Sequence, residues 1–298
     1  MKRSTSILAT IAAVLTLLQG ANSLGQPLAP TDIRPIQEPA LQRELIRIID
    51  TNDWADMVAN GTFAITLVVL DNKGPYSHAG VNENLMLYAA SLPKIAVLFA
   101  AMVAAQEGKL VIDPELEQDL HNMIRVSCNP CATRVMARIG RDRLLQILQR
   151  PEFGFYNRNL YGGLWVGKDY AGGAAHQRDP LRGLSHGATT FQVARLYYSL
   201  VMGSFLDPEH TRKMLDCLAR PGISHKFVKA LKDEDGLRLW RKSGSWRNFH
   251  ADSILVESAN GRYILVALVE ADNGEQILQQ LAADVHQLAN TASRLVMV

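Results

Sequence analysis

Apolar positions along the chain alternate between two spacings, and the changes of spacing separate two sheet-forming ends from a helical middle. Leu41, Leu45, Ile48 and Ile49 recur on one helical face, which predicts a helix from Ala40. Phe63-Ala64-Ile65-Thr66-Leu67-Val68-Val69-Leu70 is a β-rich run. The turn residues Asp71-Asn72-Lys73-Gly74 then lead to a second strand near Tyr76 to Val81, so the pair reads as a hairpin. Helical patterns dominate from Ser91 to about Ala230. They include Asp113-Pro114 as cap and first helical residue, and Thr189-Thr190 ahead of Phe191-Gln192-Val193-Ala194-Arg195-Leu196. Strands return late, at Leu239 to Trp246, Ala251 to Ser258 and Tyr263 to Glu270, with Asn260-Gly261 as a turn and a closing helix from about Gly274 to Ala289. This order predicts an α+β fold, an α/β sandwich in which the first hairpin and the three late strands build one antiparallel five-stranded sheet. Terminal helices pack on that sheet lobe (40–90 and 236–298), and an all-helical lobe (91–235) completes a domain over 40–298.

Composition agrees with an enzyme-sized domain and narrows the partners. The chain has 298 residues, 48% hydrophobic and 20% charged, enough to bury a substantial core. Lys and Arg total 31 against 29 Asp and Glu, a balance that gives nucleic-acid binding no support. Lys2-Arg3, the apolar stretch Ile7 to Leu18 and Ala21-Asn22-Ser23 read as a cleavable signal peptide over 1–23, hence export to the periplasm or beyond. The stretch is short for a bilayer span, so no stable membrane anchor is expected. Pro27, Pro30, Pro35 and Pro39 mark an extended leader over 24–39. Eight histidines form no H-x-H or H-E-x-x-H pair, so neither a metal nor another cofactor is expected. Three cysteines allow at most one intramolecular bridge. Cys128 to Cys131 would stiffen its loop, Cys131 to Cys217 would tie two helices, and the sequence does not choose between them. The βαβ context of a thiol–disulfide enzyme is absent around Cys128-Asn129-Pro130-Cys131.

Candidate chemistry lies in three short segments in fixed order. Ser91-Leu92-Pro93-Lys94 places a hydroxyl and an ammonium one helical turn apart at the head of the apolar run Ile95 to Val103. A serine becomes a nucleophile when a base takes its proton, and a lysine serves as that base when burial or a second cation lowers its pKa. Lys242 is the candidate second cation, and a helix starting at Ser91 would add its N-terminal partial charge. Ser127-Cys128-Asn129 and Lys242-Ser243-Gly244 complete the set. Ser-x-x-Lys alone is common, usually a cap followed by a solvated lysine; three segments, each in the local context it needs, are far more specific.

With these motifs the chain resembles the penicillin-recognising serine hydrolases, most closely the class A β-lactamases, over roughly Ala40 to Ala289. The resemblance implies a β-lactamase/transpeptidase-like fold and an acyl-enzyme formed with β-lactam or D-alanyl-type amides. The substrate is then a small molecule or derived from peptidoglycan. It further implies Ser91 as nucleophile, Lys94 as its proton acceptor and Ser127 as the relay to the leaving nitrogen. Asn129 would bind the substrate's side-chain amide, and Lys242 with Ser243 its carboxylate. Gly244 would let the strand come close, and the N–H groups of Ser91 and Ser245 would form the oxyanion hole. Trp246 and Arg247, just beyond, are candidates for substrate contact.

Three departures bear on this expectation. Cys128 stands where class A enzymes have an aspartate that braces its loop. The 36 residues from Ser91 to Ser127 are fewer than in class A enzymes, which predicts a more open pocket. No E-x-x-L-N setting supplies the glutamate that activates the deacylating water; Pro151 to Gly187 carries only Glu152, Asp169 and Asp179. Asp169 is a substitute candidate, although a solvated loop aspartate is the commoner case. Tyr161, Trp165 and Tyr170 in the same stretch are candidates to line a pocket, although aromatics in a long loop more often pack it onto the body. Without a replacement base, acylation outruns hydrolysis, as in a penicillin-binding DD-peptidase or a non-turnover acyl-binding sensor.

Overall fold

The computed structural model describes residues 31–70 and 76–295, with side chains to residue 290. The expected signal peptide, the leader up to residue 30 and the turn Asp71 to Gly74 lie outside the described residues. In chain order the elements are α1 (Pro39–Thr51), α2 (Ala55–Ala59), β1 (Phe63–Leu70), β2 (Ser77–Val81), β3 (Leu87–Tyr88), α3 (Lys94–Gln106), α4 (Pro114–Arg125), α5 (Asn129–Ile139) and α6 (Arg141–Gln149). Then come β4 (Tyr156–Asn157), β5 (Gly162–Gly163), β6 (Trp165–Val166), β7 (His186–Ala188), α7 (Thr190–Met202), α8 (Pro208–Leu218) and α9 (Lys226–Ala230). The chain closes with β8 (Arg238–Trp246), β9 (Phe249–Ser258), β10 (Gly261–Glu270) and α10 (Gly274–Leu295).

The expected α+β fold is present, but the stretch 91–235 is not all-helical: β6 and β7 join β3 in a small sheet, and β4 pairs with β5. Five antiparallel strands lie in the order β2-β1-β10-β9-β8, so both ends of the chain share one sheet. Side chains alternate across a strand, and the two sheet faces enter two different cores. Phe63, Ile65, Leu67 and Val69 of β1 pack with Leu45 of α1 and Leu278 and Leu281 of α10. Val68 and Leu70 face the other way, toward α3 and α7. This explains why the run from Phe63 to Leu70 is apolar throughout instead of alternating: all eight residues are buried.

The start of α3 corrects the sequence reading. The helix begins at Lys94, not Ser91, with Pro93 as its N-cap and no side-chain cap. Ser91 occupies a preceding turn, held by Lys94 N–H to Ser91 O at 3.2 Å and Leu92 N–H to Ala89 O at 2.9 Å. From Lys94 to Ala104 every residue of α3 is buried, as a helix apolar on all sides must be. Elsewhere local chemistry sets the ends as expected: Asp113 caps α4 through the Leu116 N–H at 2.9 Å, and Thr189 caps α7 through the Gln192 N–H. Among the described residues, no helix is long and apolar enough to cross a membrane.

Candidate active site

Three elements meet at one cavity of about 330 Å³, lined among others by Ser91, Asn129, Ser245 and Trp246. The turn before α3 brings Ser91, the α4–α5 connection brings Ser127 and Asn129, and the edge strand β8 brings Lys242 to Ser245. Lys94 sits at the centre, fully buried. Its Nζ lies 2.7 Å from Ser127 O and 2.6 Å from Asn129 Oδ1, and farther, 3.2 and 3.3 Å, from the hydroxyls of Ser91 and Ser127. Lys242 Nζ donates to Ser127 Oγ at 3.0 Å and to Ser243 O at 2.6 Å. The Ser127 hydroxyl is therefore shared by two lysines from distant parts of the chain.

Burial weakens the charge of both cations. Lys94 is brought down to about 7 by loss of hydration, and Lys242 is lowered well below its usual value by burial and then by the nearby Lys94 charge. The Tyr170 ring covers Lys94 with the ammonium 4.5 Å from its centroid.

Gly244 explains how β8 reaches Ser91. A Cβ on Gly244 would stand 2.2 Å from Ala89 O and 2.8 Å from Ser91 N, so only glycine lets the strand lie against that turn. The close approach is made to the backbone of Ser91. Ala90 and Ser127 both hold left-handed backbone, with φ of 48° and 57°, next to these contacts. Such conformations cost roughly 1–3 kcal/mol each and collect where geometry matters more than stability.

The neighbourhood also contains residues that no short motif marks. Lys226, fully buried in α9 with φ of 50°, donates to Gly244 O at 2.6 Å, Ser245 Oγ at 2.8 Å and Ala251 O at 3.2 Å. His225 Nε2 lies 3.2 Å from Ser243 Oγ, and burial holds the ring neutral by lowering it to about 4. His186 stacks on Tyr170 with centroids 4.3 Å apart, contacts Lys168 O at 2.9 Å and is likewise lowered to about 4 by burial. Each arrives through packing, and spacing along the chain carries no signal for any of them.

Asp169 is not the solvated aspartate expected. It is the one carboxylate among the described residues that line the cavity, and Arg141 forks onto it at 2.8 and 2.6 Å, which keeps it ionised below the usual range. Asp179 is buried elsewhere and accepts the N–H groups of Leu181 and Leu184 and the Tyr156 hydroxyl. Of the loop aromatics, Trp165 is buried, Tyr170 roofs the site and Tyr161 is exposed rather than packed down. Trp246 is exposed at the cavity rim, and Arg247 lies over its ring at 5.8 Å. The bridge joins Cys128 to Cys131, leaving Cys217 as a buried thiol pushed up to about 12.

A sequence model of the beta-lactamase enzyme family matches residues 112–289, more than half of the chain. No curated protein matches the chain in sequence. Among solved structures, a beta-lactamase from Sphaerobacter thermophilus superposes with a TM-score of 0.65 at 17% identity, covering 83% of this chain and 97% of that one. A mutant of PBP-A, solved as an acyl-enzyme complex with penicillin G, gives 0.65 at 18% identity, with 83% and 96% covered. A beta lactamase from Xanthomonas campestris gives 0.64 at 16% identity, with 82% and 98% covered. At these identities the structural matches establish the shared fold.

Proposed function

Since the chain belongs to the β-lactamase enzyme family, we propose that it is an exported serine hydrolase that forms an acyl-enzyme on Ser91 with β-lactam or D-alanyl-type amide substrates. The observation that carries this reading is the set of contacts around Lys94 Nζ. A neutral amine has two N–H bonds and one lone pair. Its two shortest contacts, Ser127 O and Asn129 Oδ1, are acceptors that use both N–H bonds. The lone pair then faces the Ser91 and Ser127 hydroxyls, at 3.2 and 3.3 Å. With its pKa brought down to about 7, roughly half of Lys94 is neutral at pH 7.

The chemistry follows from these positions. Neutral Lys94 takes the Ser91 proton as Ser91 Oγ attacks the substrate carbonyl, and the N–H groups of Ser91 and Ser245 hold the oxyanion. The Ser127 hydroxyl gives its proton to the leaving nitrogen and is resupplied from Lys94. An arriving substrate carboxylate restores charge to Lys242, since a close anion favours the ammonium form. Asn129 retains its amide N–H groups for the substrate side chain.

The Arg141 fork on Asp169 favours slow deacylation, because it leaves the cavity without a free carboxylate among the described residues. A DD-peptidase-like enzyme or an acyl-binding sensor is then the second reading. Intact-mass measurement with a penicillin, on wild type and Ser91→Ala, tests both. A wild-type adduct that decays with product supports hydrolysis, and one that persists supports the second reading. An adduct of equal yield in Ser91→Ala, or none in wild type, ends the acyl-enzyme proposal.

A further inference from the structure

Ser127 and Asn129 reach Lys94 from a connection whose backbone is held under constraint. Ser127 is left-handed at φ 57°, a conformation a serine keeps only when its surroundings impose it. On one side the Cys128 N–H donates to Asn122 O of α4 at 3.1 Å. On the other side Cys128 is the N-cap of α5; its sulfur accepts the Cys131 N–H at 3.1 Å and is bonded to Cys131 Sγ. Sulfur is a weak acceptor, so the covalent link, not the cap, does the holding. Cys131 is buried, and Arg134, one turn further on, forks onto Asp119 of α4 at 2.7 and 2.6 Å. Asn129 thus lies inside the small ring closed by the bridge, and Ser127 directly precedes it.

The bridge is not sealed within the core. Cys128, at the N-terminus of α5, is only half-buried. Arg134 Nη2 lies 3.6 Å from Cys131 Sγ. A disulfide opens when an attacking thiolate can reach one of its sulfurs.

We infer that the Cys128–Cys131 bridge is the positioning element that holds Ser127 and Asn129 against Lys94, so that the site is fully assembled only while the bridge is oxidised. This rests on the acyl-transfer reading of Ser91. Opening the bridge requires a dithiol reductant: one thiolate attacks a bridge sulfur, and the second resolves the mixed disulfide. Two electrons and two protons pass to Cys128 and Cys131, and the reductant leaves as a cyclic disulfide. An oxidising compartment, as export would supply, keeps the site intact.

The test uses the full-length protein with dithiothreitol, counting thiols in denaturant: one for the oxidised protein and three for the reduced one. The acylation rate with a penicillin is expected to fall at least tenfold in step with the thiol count and to return on reoxidation. Amide exchange is expected to rise through residues 126–132 and to stay unchanged in β1 and β10. Cys128→Ala/Cys131→Ala should be slow under all conditions. Cys128→Asp/Cys131→Ala, whose carboxylate caps α5 in place of the bridge, should recover acylation and ignore reductant. Reduced protein that acylates within twofold of oxidised protein overturns the inference, as does a rise in exchange spread across the whole sheet. If oxidised wild type forms no adduct, the acyl-enzyme proposal fails instead, and exchange at residues 126–132 alone decides whether the bridge positions this connection.

Discussion

Replacing Lys94 with methionine is expected to abolish acylation and to change stability by an amount that favours the variant most near neutral pH and progressively less as pH rises. Lys94 is fully buried and drops from 10.5 to about 7 in the folded state. Between these values the unfolded chain binds more protons than the native one, so native stability rises with pH in that window. The deficit is complete below the folded value and vanishes above the unfolded one. Linkage puts it at about 4 kcal/mol at pH 7 and about 1.4 kcal/mol at pH 9.5. Removing the charge also relieves Lys242, which acts in the same direction. Against this, Ser127 O and Asn129 Oδ1 lose their donor, an offset of about 1–3 kcal/mol for each group that stays buried, independent of pH. The pH dependence is therefore the clean quantity. Urea denaturation of wild type and Lys94→Met, followed by tryptophan fluorescence from pH 6 to 9.5, should show the stability difference narrowing by about 3 kcal/mol between pH 7 and 9.5. Titrations unaffected by residue 94 cancel in that difference, and the relief of Lys242 adds to the narrowing. A difference constant to about 0.5 kcal/mol over the same range would refute the lowered proton affinity of Lys94 and, with it, its role as base.

Two further outcomes follow from the same contacts. The single-turnover acylation rate with a penicillin should rise with pH through an inflection near 7, set by the neutral fraction of Lys94; a flat profile from pH 5.5 to 8.5 would contradict this. Gly244→Ala should force β8 away from the turn at Ser91, because its Cβ would meet backbone atoms at 2.2 and 2.8 Å. A destabilisation of about 1–3 kcal/mol is expected, read by thermal melting, together with an acylation rate lowered roughly 10- to 100-fold.

Elements governed by neighbours in sequence are legible in the sequence itself. Periodicity and local hydrogen-bonding chemistry place the run from Phe63 to Leu70, the caps at Asp113 and Thr189 and the three late strands to within two residues. Periodicity misplaces the start of α3, because Pro93 and the turn at Ala89 to Leu92 delay the helix without disturbing its apolar pattern. Asp169 reads as solvated in the sequence because its partner Arg141 lies 28 residues earlier, on a helix whose orientation no local rule supplies.

What the sequence determined by itself was the order of the five main strands and the helical character of the middle, though not the short strands β3 to β7, and the residue types available for acyl transfer, since these follow from spacing along the chain. Tertiary structure alone decided which sulfur Cys131 meets, that Lys226 supports β8 from behind, and that Lys94 loses its water and much of its charge. Those outcomes depend on distances and dielectric surroundings created by segments far apart in sequence, and hydration is lost only once those segments have closed around the group.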